Sequence, residues 1–373
     1  MLDLLYSYVV ARRRRWFERH PDARRRLREP VISIGNLSVG GTGKTPMVSL
    51  IARWLLDRGE RPAILSRGYG RRDRPDGVVV VSDGQRVLAD VHQSGDEPFM
   101  LARHLPRAVV VVGEDRFLAG ALAERRLGAN VHLLDDGFQH VQLARDLDIL
   151  MTTPGEITGG RVLPMGRLRE PMGAAARAHV VVVLESDLAS ARSEAWSLGV
   201  SQVVAGRRTI QGAEGALGAD GASCTGANGA TGADGASGAG ANGALGADGA
   251  SGAGANGAAG ADGASGAVVA VAGIARPKEF FAMLRAAGYR VVDTFEFADH
   301  HRFTRSDVNR IHAAVQAAGA ACVVTTEKDL VRLEPLEPLP FECQAIPLTL
   351  SIEGWDDLAA LLAHAIARRR EAT

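Results

Sequence analysis

A chain of 373 residues, 46% hydrophobic and 23% charged, carries enough apolar material for about two globular domains, which excludes a fibrous or wholly disordered protein. Its 43 basic and 43 acidic residues cancel, so no overall field favours a polyanion, and no nucleic-acid partner is expected. Cys224, Cys322 and Cys343 are widely spaced with no C-x-x-C pair; they suggest neither a disulfide framework nor a zinc knuckle and fit a reducing compartment.

Residues 2–11, LDLLYSYVVA, are apolar apart from Asp3 and Ser7, and the following ARRRRWFER surrounds Trp16 and Phe17 with arginine. Across residues 1–28, nine arginines face three acids, a local balance of +6. The pattern predicts a helix lying on a membrane surface, where apolar insertion and roughly 1 kcal/mol per arginine near anionic lipid act together. A basic helix packed on its own domain is the alternative. No window reaches the ~18 consecutive apolar residues of a spanning helix, and no positive charge precedes the apolar start as in an export signal. The expected location is therefore cytoplasmic.

From Pro30 the pattern is α/β. VISIG (31–35) reads as a short buried strand, a glycine-rich loop follows, and TPMVSLIARWLLDRG (45–59) has helical spacing that ends at Gly59. RPAILSRGYG, GVVVVSDG, RAVVVVGED, ANVHLLDDG, LDILMTT, VVVVL (180–184) and QVVAGRR (202–208) supply further strand-like runs. Their alternation with helices predicts a mostly parallel sheet with helices on both faces over residues 29–210, and the loop SVGGTGKT (38–45) makes it of the P-loop NTPase type.

Residues 211–267 are almost wholly Gly, Ala, Asp, Ser and Asn, with GADGASGAGANGA recurring at a period of 14. The glycine step shortens from three to two at Gly238–Gly240 and Gly252–Gly254, and proline is absent, which argues against a collagen helix. With little apolar surface to bury, the tract is expected to be a flexible insertion. Strand and helix patterns resume at AVVAVAGIARPKEFFAMLRAAG (267–288), and YRVVDTFEF, AACVVTTEKD (320–329) and QAIPLTLSI (344–352) read as strands before a closing helix at 355–370. Residues 268–373 are thus a smaller C-terminal α/β lobe or the completion of the first sheet.

SVGGTGKT (38–45) matches the phosphate-binding loop G-x-x-x-x-G-K-[ST] except for Ser38 at the first position, and it lies between a predicted strand and a predicted helix. In that context the backbone of Ser38, Val39, Gly40, Gly41, Thr42, Gly43, Lys44 and Thr45 would wrap the phosphates at a helix N-terminus. Lys44 would reach the β and γ phosphates and Thr45 would ligate Mg²⁺. The acids decide what is done with the triphosphate. HLLDDGFQH (132–140) puts Asp135 and Asp136 at a strand end, where a metal-holding carboxylate belongs; either could serve, and Gln139 and His140 follow on the same loop. SGDEPFMLARHL (94–105) puts Asp96 ahead of a helix with Pro98 in its first turn, a position that suits an N-cap and equally a base for an attacking hydroxyl. FADHHRF (297–303) clusters Asp299, His300 and His301. Arginines recur in glycine-containing turns, and Arg67, Arg71, Arg167 and Arg169, with Tyr69, are the candidates for binding an anionic substrate.

The string ISIGNLSVGGTGKTP, followed in order by LSRGYGR, GDEP, LLDDGFQH, GRLREP, GIARP, DHH and TTEKD, resembles the tetraacyldisaccharide 4'-kinase family of lipid A biosynthesis over about 30–210 and 268–350. The resemblance implies ATP- and Mg²⁺-dependent phosphorylation of the 4'-hydroxyl of a tetraacylated glucosamine disaccharide 1-phosphate. It also implies peripheral attachment to the cytoplasmic face of the inner membrane, with no obligate protein partner. It makes Asp96 the catalytic base supported by His300, and it associates Asp135 and Asp136 with Mg²⁺ and the nucleotide. The 211–267 tract departs from the family pattern but interrupts no motif. A P-loop GTPase would need a guanine-reading N-K-x-D element, to which TEKD (326–329) is the nearest approach, and a soluble small-molecule kinase would leave the basic apolar start without a role.

Overall fold

The computed structural model describes residues 2–73, 77–210 and 266–372; all but the last two residues of the 211–267 tract, with the flexible insertion expected there, lie outside the described residues. In chain order the first half comprises α1 (Leu2–Arg19), β1 (Val31–Asn36), α2 (Lys44–Asp57), β2 (Pro62–Ser66), β3 (Val78–Asp83), α3 (Val91–Ser94), α4 (Asp96–His104) and β4 (Val109–Gly113). Then come α5 (Arg116–Leu127), β5 (Val131–Asp135), β6 (Leu147–Thr152), α6 (Pro154–Gly159), β7 (Val180–Leu184), α7 (Leu188–Trp196) and β8 (Val203–Ile210). After the tract follow β9 (Val268–Ala272), α8 (Pro277–Ala286), β10 (Val291–Glu296), α9 (Arg305–Ala318), β11 (Cys322–Thr326), α10 (Glu327–Leu333), β12 (Cys343–Ile346), β13 (Leu348–Glu353) and α11 (Trp355–Glu371).

Nine strands form one sheet in the order β13-β8-β7-β6-β1-β5-β2-β4-β3. All its pairs are parallel except the two at its edges, β13 with β8 and β3 with β4. The inner strands are buried on both faces, as the unbroken valine runs of β4 and β7 require, because helices cover both sides. On one face, Met47, Ile51 and Leu55 of α2 recur with helical period and share a core with Leu101 of α4 and Leu358 and Leu362 of α11. Ala119 and Ala123 of α5 and Ala191 and Ala195 of α7 cover the other.

The smaller sheet, β10-β9-β11-β12, is wholly parallel, with α8 packed on one face through Phe280, Phe281 and Leu284 and α9 on the other through Val308, Ile311 and Val315. The run expected to be one strand over 344–352 is two. Pro347, which has no N–H to give a ladder, separates β12, parallel to β11, from β13, antiparallel to β8. Residues 348–371 therefore return to the large sheet, and both readings of the C-terminal portion, a lobe and a sheet completion, describe part of it. Among the described residues no helix is long and apolar enough to cross a membrane.

Candidate functional site

The site lies where strand order reverses. β1 sits between β5 and β6, and its C-terminal end runs into the glycine loop; β5, in register with Ile34 opposite Asp135, ends beside it. Ligands of open α/β sheets bind in this crevice at the carboxyl ends of the strands. Gly43 caps α2 with φ +71°, a left-handed conformation that a side chain disfavours, and so turns the chain into the helix. Gly40 has φ +111°, and a Cβ there would stand 2.1 Å from Arg167 Nη2. The loop tolerates bulk at neither position.

A polar scaffold holds the loop. Asn36, the last residue of β1, donates from Nδ2 to the Thr42 hydroxyl (2.6 Å) and accepts at Oδ1 from Lys44 Nζ (3.0 Å) and Arg169 Nη2 (2.7 Å). Ser38, which replaces the expected first glycine, is buried and donates to Glu156 of α6 at 2.7 Å. Arg167 donates to the Val39 carbonyl (2.9 Å), and Arg169 donates to the Ser38 carbonyl (3.1 Å) and forks onto both oxygens of Asp136 (2.8 and 2.9 Å). Neither Asn36 nor Glu156 stands out in the sequence; Asn36 follows the apolar run by one position, and only its contact with the loop reveals its role.

The paired acids differ sharply. Asp136, at φ +55°, meets Lys44 (3.5 Å) and the Arg169 fork; desolvation in the cleft opposes its charge, but Lys44 and Arg169 outweigh that and hold its pKa at about 2. Asp135 is buried, with the Ser66 hydroxyl 3.4 Å away, and is pushed up to about 7 by burial and by the neighbouring charges of Glu97 and Asp136. Asp135, a buried carboxylate, and Thr45 line the same cleft and supply oxygen donors of the kind a hard divalent cation takes, with phosphate oxygens and water completing its shell. Among the described residues no cluster of three or more His, Cys, Asp or Glu could hold a metal by protein ligands alone.

The opposite wall comes from the other sheet. A cleft of about 700 Å³ is lined by the loop from Val39 to Thr45, by Arg67, Tyr69, Glu97, Asp135, Asp136 and Arg169, and by Asp299, His300 and Lys328. Asp96 is the first residue of α4 and Gly95 is its cap, so the carboxylate makes no capping bond. It turns instead to the C-terminal lobe, reaching His300 Nδ1 (3.4 Å) and Arg332 Nε (2.6 Å). Burial opposes its charge, but His300 and Arg332 outweigh burial and keep it below the usual carboxylate range. Lys328 Nζ lies 3.0 Å from Glu97, 3.5 Å from Asp299 and 3.3 Å from His300 Nε2. His301, the other histidine of the cluster, stacks on Phe297 and pairs with Asp307 (3.1 Å), which makes it a packing residue of its lobe.

Of the anion-binding candidates, Arg67, Tyr69 and Arg169 line this cleft, and Arg167 lines a shallower neighbour beside Val39 and Gly40. Tyr69 is exposed and meets the His300 ring edge-on at 5.0 Å. Arg71 lines neither. It is buried and donates to the Gly68 carbonyl (3.2 Å), supporting the turn that carries Tyr69. His140 is half-buried and held down to about 4 by that burial and then by Arg116 and Arg145, so it stays neutral; Gln139 bridges the Asn36 carbonyl (2.9 Å) and Arg169 (3.1 Å). Asp329 of TEKD is fully buried on Gly273 N and Thr326, so it faces no base in the cleft.

One further residue was not separable from its neighbours in the sequence. Arg14, one arginine of the RRRR run, is buried between the Phe138 carbonyl (3.0 Å) and Glu170 (2.7 Å) and so fastens α1 to the loop that follows Asp136. The opposite side of α1 exposes Tyr8, Val9 and Trp16 among Arg12, Arg15 and Arg19.

A glycine loop at a helix N-terminus, its lysine and hydroxyl, and carboxylates on both walls of the cleft define a P-loop phosphotransferase. A family model described as tetraacyldisaccharide-1-P 4'-kinase matches residues 1–367. The tetraacyldisaccharide 4'-kinase of Geobacter metallireducens is 40% identical over 84% of this chain and 81% of its own, and that of Koribacter versatilis is 33% identical over 99% of each. A crystal structure of the "apo" form of LpxK from Aquifex aeolicus in complex with ATP superposes with a TM-score of 0.68 at 26% identity, covering 98% of this chain and 97% of that one. The chain belongs to the tetraacyldisaccharide 4'-kinase family.

Proposed function

We propose that the chain transfers the γ-phosphate of ATP to the 4'-hydroxyl of a tetraacylated glucosamine disaccharide 1-phosphate on the cytoplasmic face of the inner membrane. The observation that carries the reading is the meeting of Asp96 with His300 at 3.4 Å, where His300 lines a cleft whose other wall is the phosphate loop. Phosphoryl transfer asks the protein mainly for positioning and charge stabilisation, with a group in reach of the acceptor proton. Lys44 and the loop N–H groups would bind the β and γ phosphates. The Asp96–His300 pair would take the proton from the acceptor hydroxyl, with His300 lining the cleft and Asp96 behind it orienting the ring. Thr45 and Asp135 would hold Mg²⁺, which, when bound, offsets charge on the phosphate oxygens; Asp136 is already committed to Lys44 and Arg169.

Arg67, Tyr69 and Arg169 are the substrate-facing groups of this reading, while Arg71 supports them from below. Docking without spanning is the task of α1, whose exposed aromatic and arginine side chains suit an anionic lipid surface. No nucleic acid and no obligate protein partner enters the reaction. The test is ATP consumption by the purified protein with and without the tetraacyl acceptor, run in parallel with GTP. Consumption that requires the acceptor and prefers ATP supports the reading; acceptor-independent turnover, or a preference for GTP, overturns it.

A further inference from the structure

Lys328 and Arg332 are four residues apart on α10 and therefore share one face of that helix. That face meets the first turn of α4 in register, Lys328 with Glu97 at 3.0 Å and Arg332 with Asp96 at 2.6 Å. The two contacts differ in kind. Lys328 lines the cleft, whereas Arg332 is nearly buried, its side chain 6% exposed, with Nε and Nη1 donating to carboxylate and carbonyl oxygens.

The partners of Arg332 divide into an anchor and a cargo. Nη1 donates to the Gly273 carbonyl and to Asp329 Oδ1, both at 2.9 Å. Asp329 is fully buried and is itself fixed by Gly273 N (2.9 Å) and the Thr326 hydroxyl (2.7 Å), so this edge of the guanidinium cannot shift. The remaining edge points at the site: Nε donates to Asp96 Oδ2, and Nη2 stands 3.2 Å from His300 Nδ1. A planar guanidinium fixed on one side sets the angle and distance of what it holds on the other.

His300 needs such support. Its backbone has φ +61°, a left-handed conformation that a non-glycine residue keeps only when its surroundings impose it. The Tyr69 ring edge and the Asp96 carboxylate that Arg332 holds restrain the imidazole from two directions. We propose that Arg332 is a positioning residue for phosphoryl transfer, fixing the Asp96 carboxylate and the His300 ring relative to each other. The inference rests on the reading of Asp96 and His300 as the pair that accepts the acceptor proton.

A stabilising ion pair between the lobes would show the same contacts, so the test must separate the two roles. Single-turnover rates with enzyme in excess keep slow variants measurable, and Arg332→Gln, Arg332→Lys, Asp96→Asn and the double variant Asp96→Asn/Arg332→Gln are compared in rate, apparent affinity for ATP and melting temperature. The expected result is a loss of about 10- to 100-fold in rate for Arg332→Gln, as for a displaced acid–base group, with ATP affinity unchanged within about threefold and Arg332→Lys intermediate. In the Asp96→Asn background the same substitution is expected to cost less than about threefold, because its effect is transmitted through Asp96.

An equal loss in both backgrounds, or an unchanged rate in Arg332→Gln, overturns the proposal. If Arg332→Gln does not fold, Arg332→Lys is cycled against Asp96→Asn, with a loss confined to the Asp96 background expected and an equal loss in both overturning it. A wild-type rate in Asp96→Asn instead overturns the reading of Asp96 and His300, and the proposal with it, and is recognisable because it appears in the single variant.

Discussion

Replacing Asp135 by asparagine is expected to stabilise the protein in the absence of metal and to weaken its response to Mg²⁺. The carboxyl titrates near 3.8 when exposed and is pushed up to about 7 in the fold by burial and by the charges of Glu97 and Asp136. The folded state therefore holds its proton where the unfolded state has lost it, and this group makes stability fall as pH rises between those values. At 1.36 kcal/mol per unit, the burden on the wild type is about 2 kcal/mol at pH 5.5 and about 4 kcal/mol above pH 7. Asparagine keeps the shape without the charge. Urea denaturation in EDTA at pH 5.5 and pH 8 measures the difference: the variant should gain at both, about twice as much at pH 8. Addition of Mg²⁺ with ATP should raise the wild type more than the variant. A variant no more stable than wild type at pH 8 in EDTA, or a gain independent of pH, refutes the reasoning.

Three other outcomes follow from named contacts. Arg14→Ala leaves the buried Glu170 carboxylate without its cation and should cost about 3–5 kcal/mol in urea denaturation, most of it recovered in Arg14→Met/Glu170→Leu. The double substitution Tyr8→Ser/Trp16→Ser alters side chains exposed on α1, so stability should hold while binding to anionic vesicles, followed by flotation, falls by about one to two orders of magnitude. Gly40→Ala puts a Cβ at a backbone angle of +111° and displaces the Arg167 guanidinium, so the melting temperature should fall by several degrees and calorimetry should find ATP bound about tenfold more weakly.

What the sequence could disclose depended on how far apart the cooperating residues lie in the chain. The loop from Ser38 to Thr45 is contiguous and flanked by a strand and a helix, so its position and register were legible from spacing alone. The valine runs that became β4 and β7 were legible for the same reason. The opposite wall was not. Asp96 and His300 are 204 residues apart, and Arg332 and Asp96 are 236 apart; no local pattern encodes such a meeting, and Arg332 occupies an ordinary helical position.

The sequence presented Asp135 and Asp136 as equivalent neighbours, yet the reversal of side-chain direction at a strand end gives one to a buried wall and the other to Lys44 and Arg169. Arg14 was hidden in a run of four arginines, because helical period rather than composition selects which one turns inward. Pro347 was visible throughout, but that it divides two sheets rather than bending one strand depends on β8 offering a free edge.

The most direct test of the central claim is the structure of the product. Purified protein is incubated with Mg²⁺, ATP and a tetraacylated glucosamine disaccharide 1-phosphate, and the product lipid is examined by mass spectrometry and phosphorus NMR. One added phosphoryl group, borne on the 4'-oxygen and absent when ATP is withheld, is the predicted result. Unmodified lipid, or a phosphoryl group on any other oxygen, contradicts it.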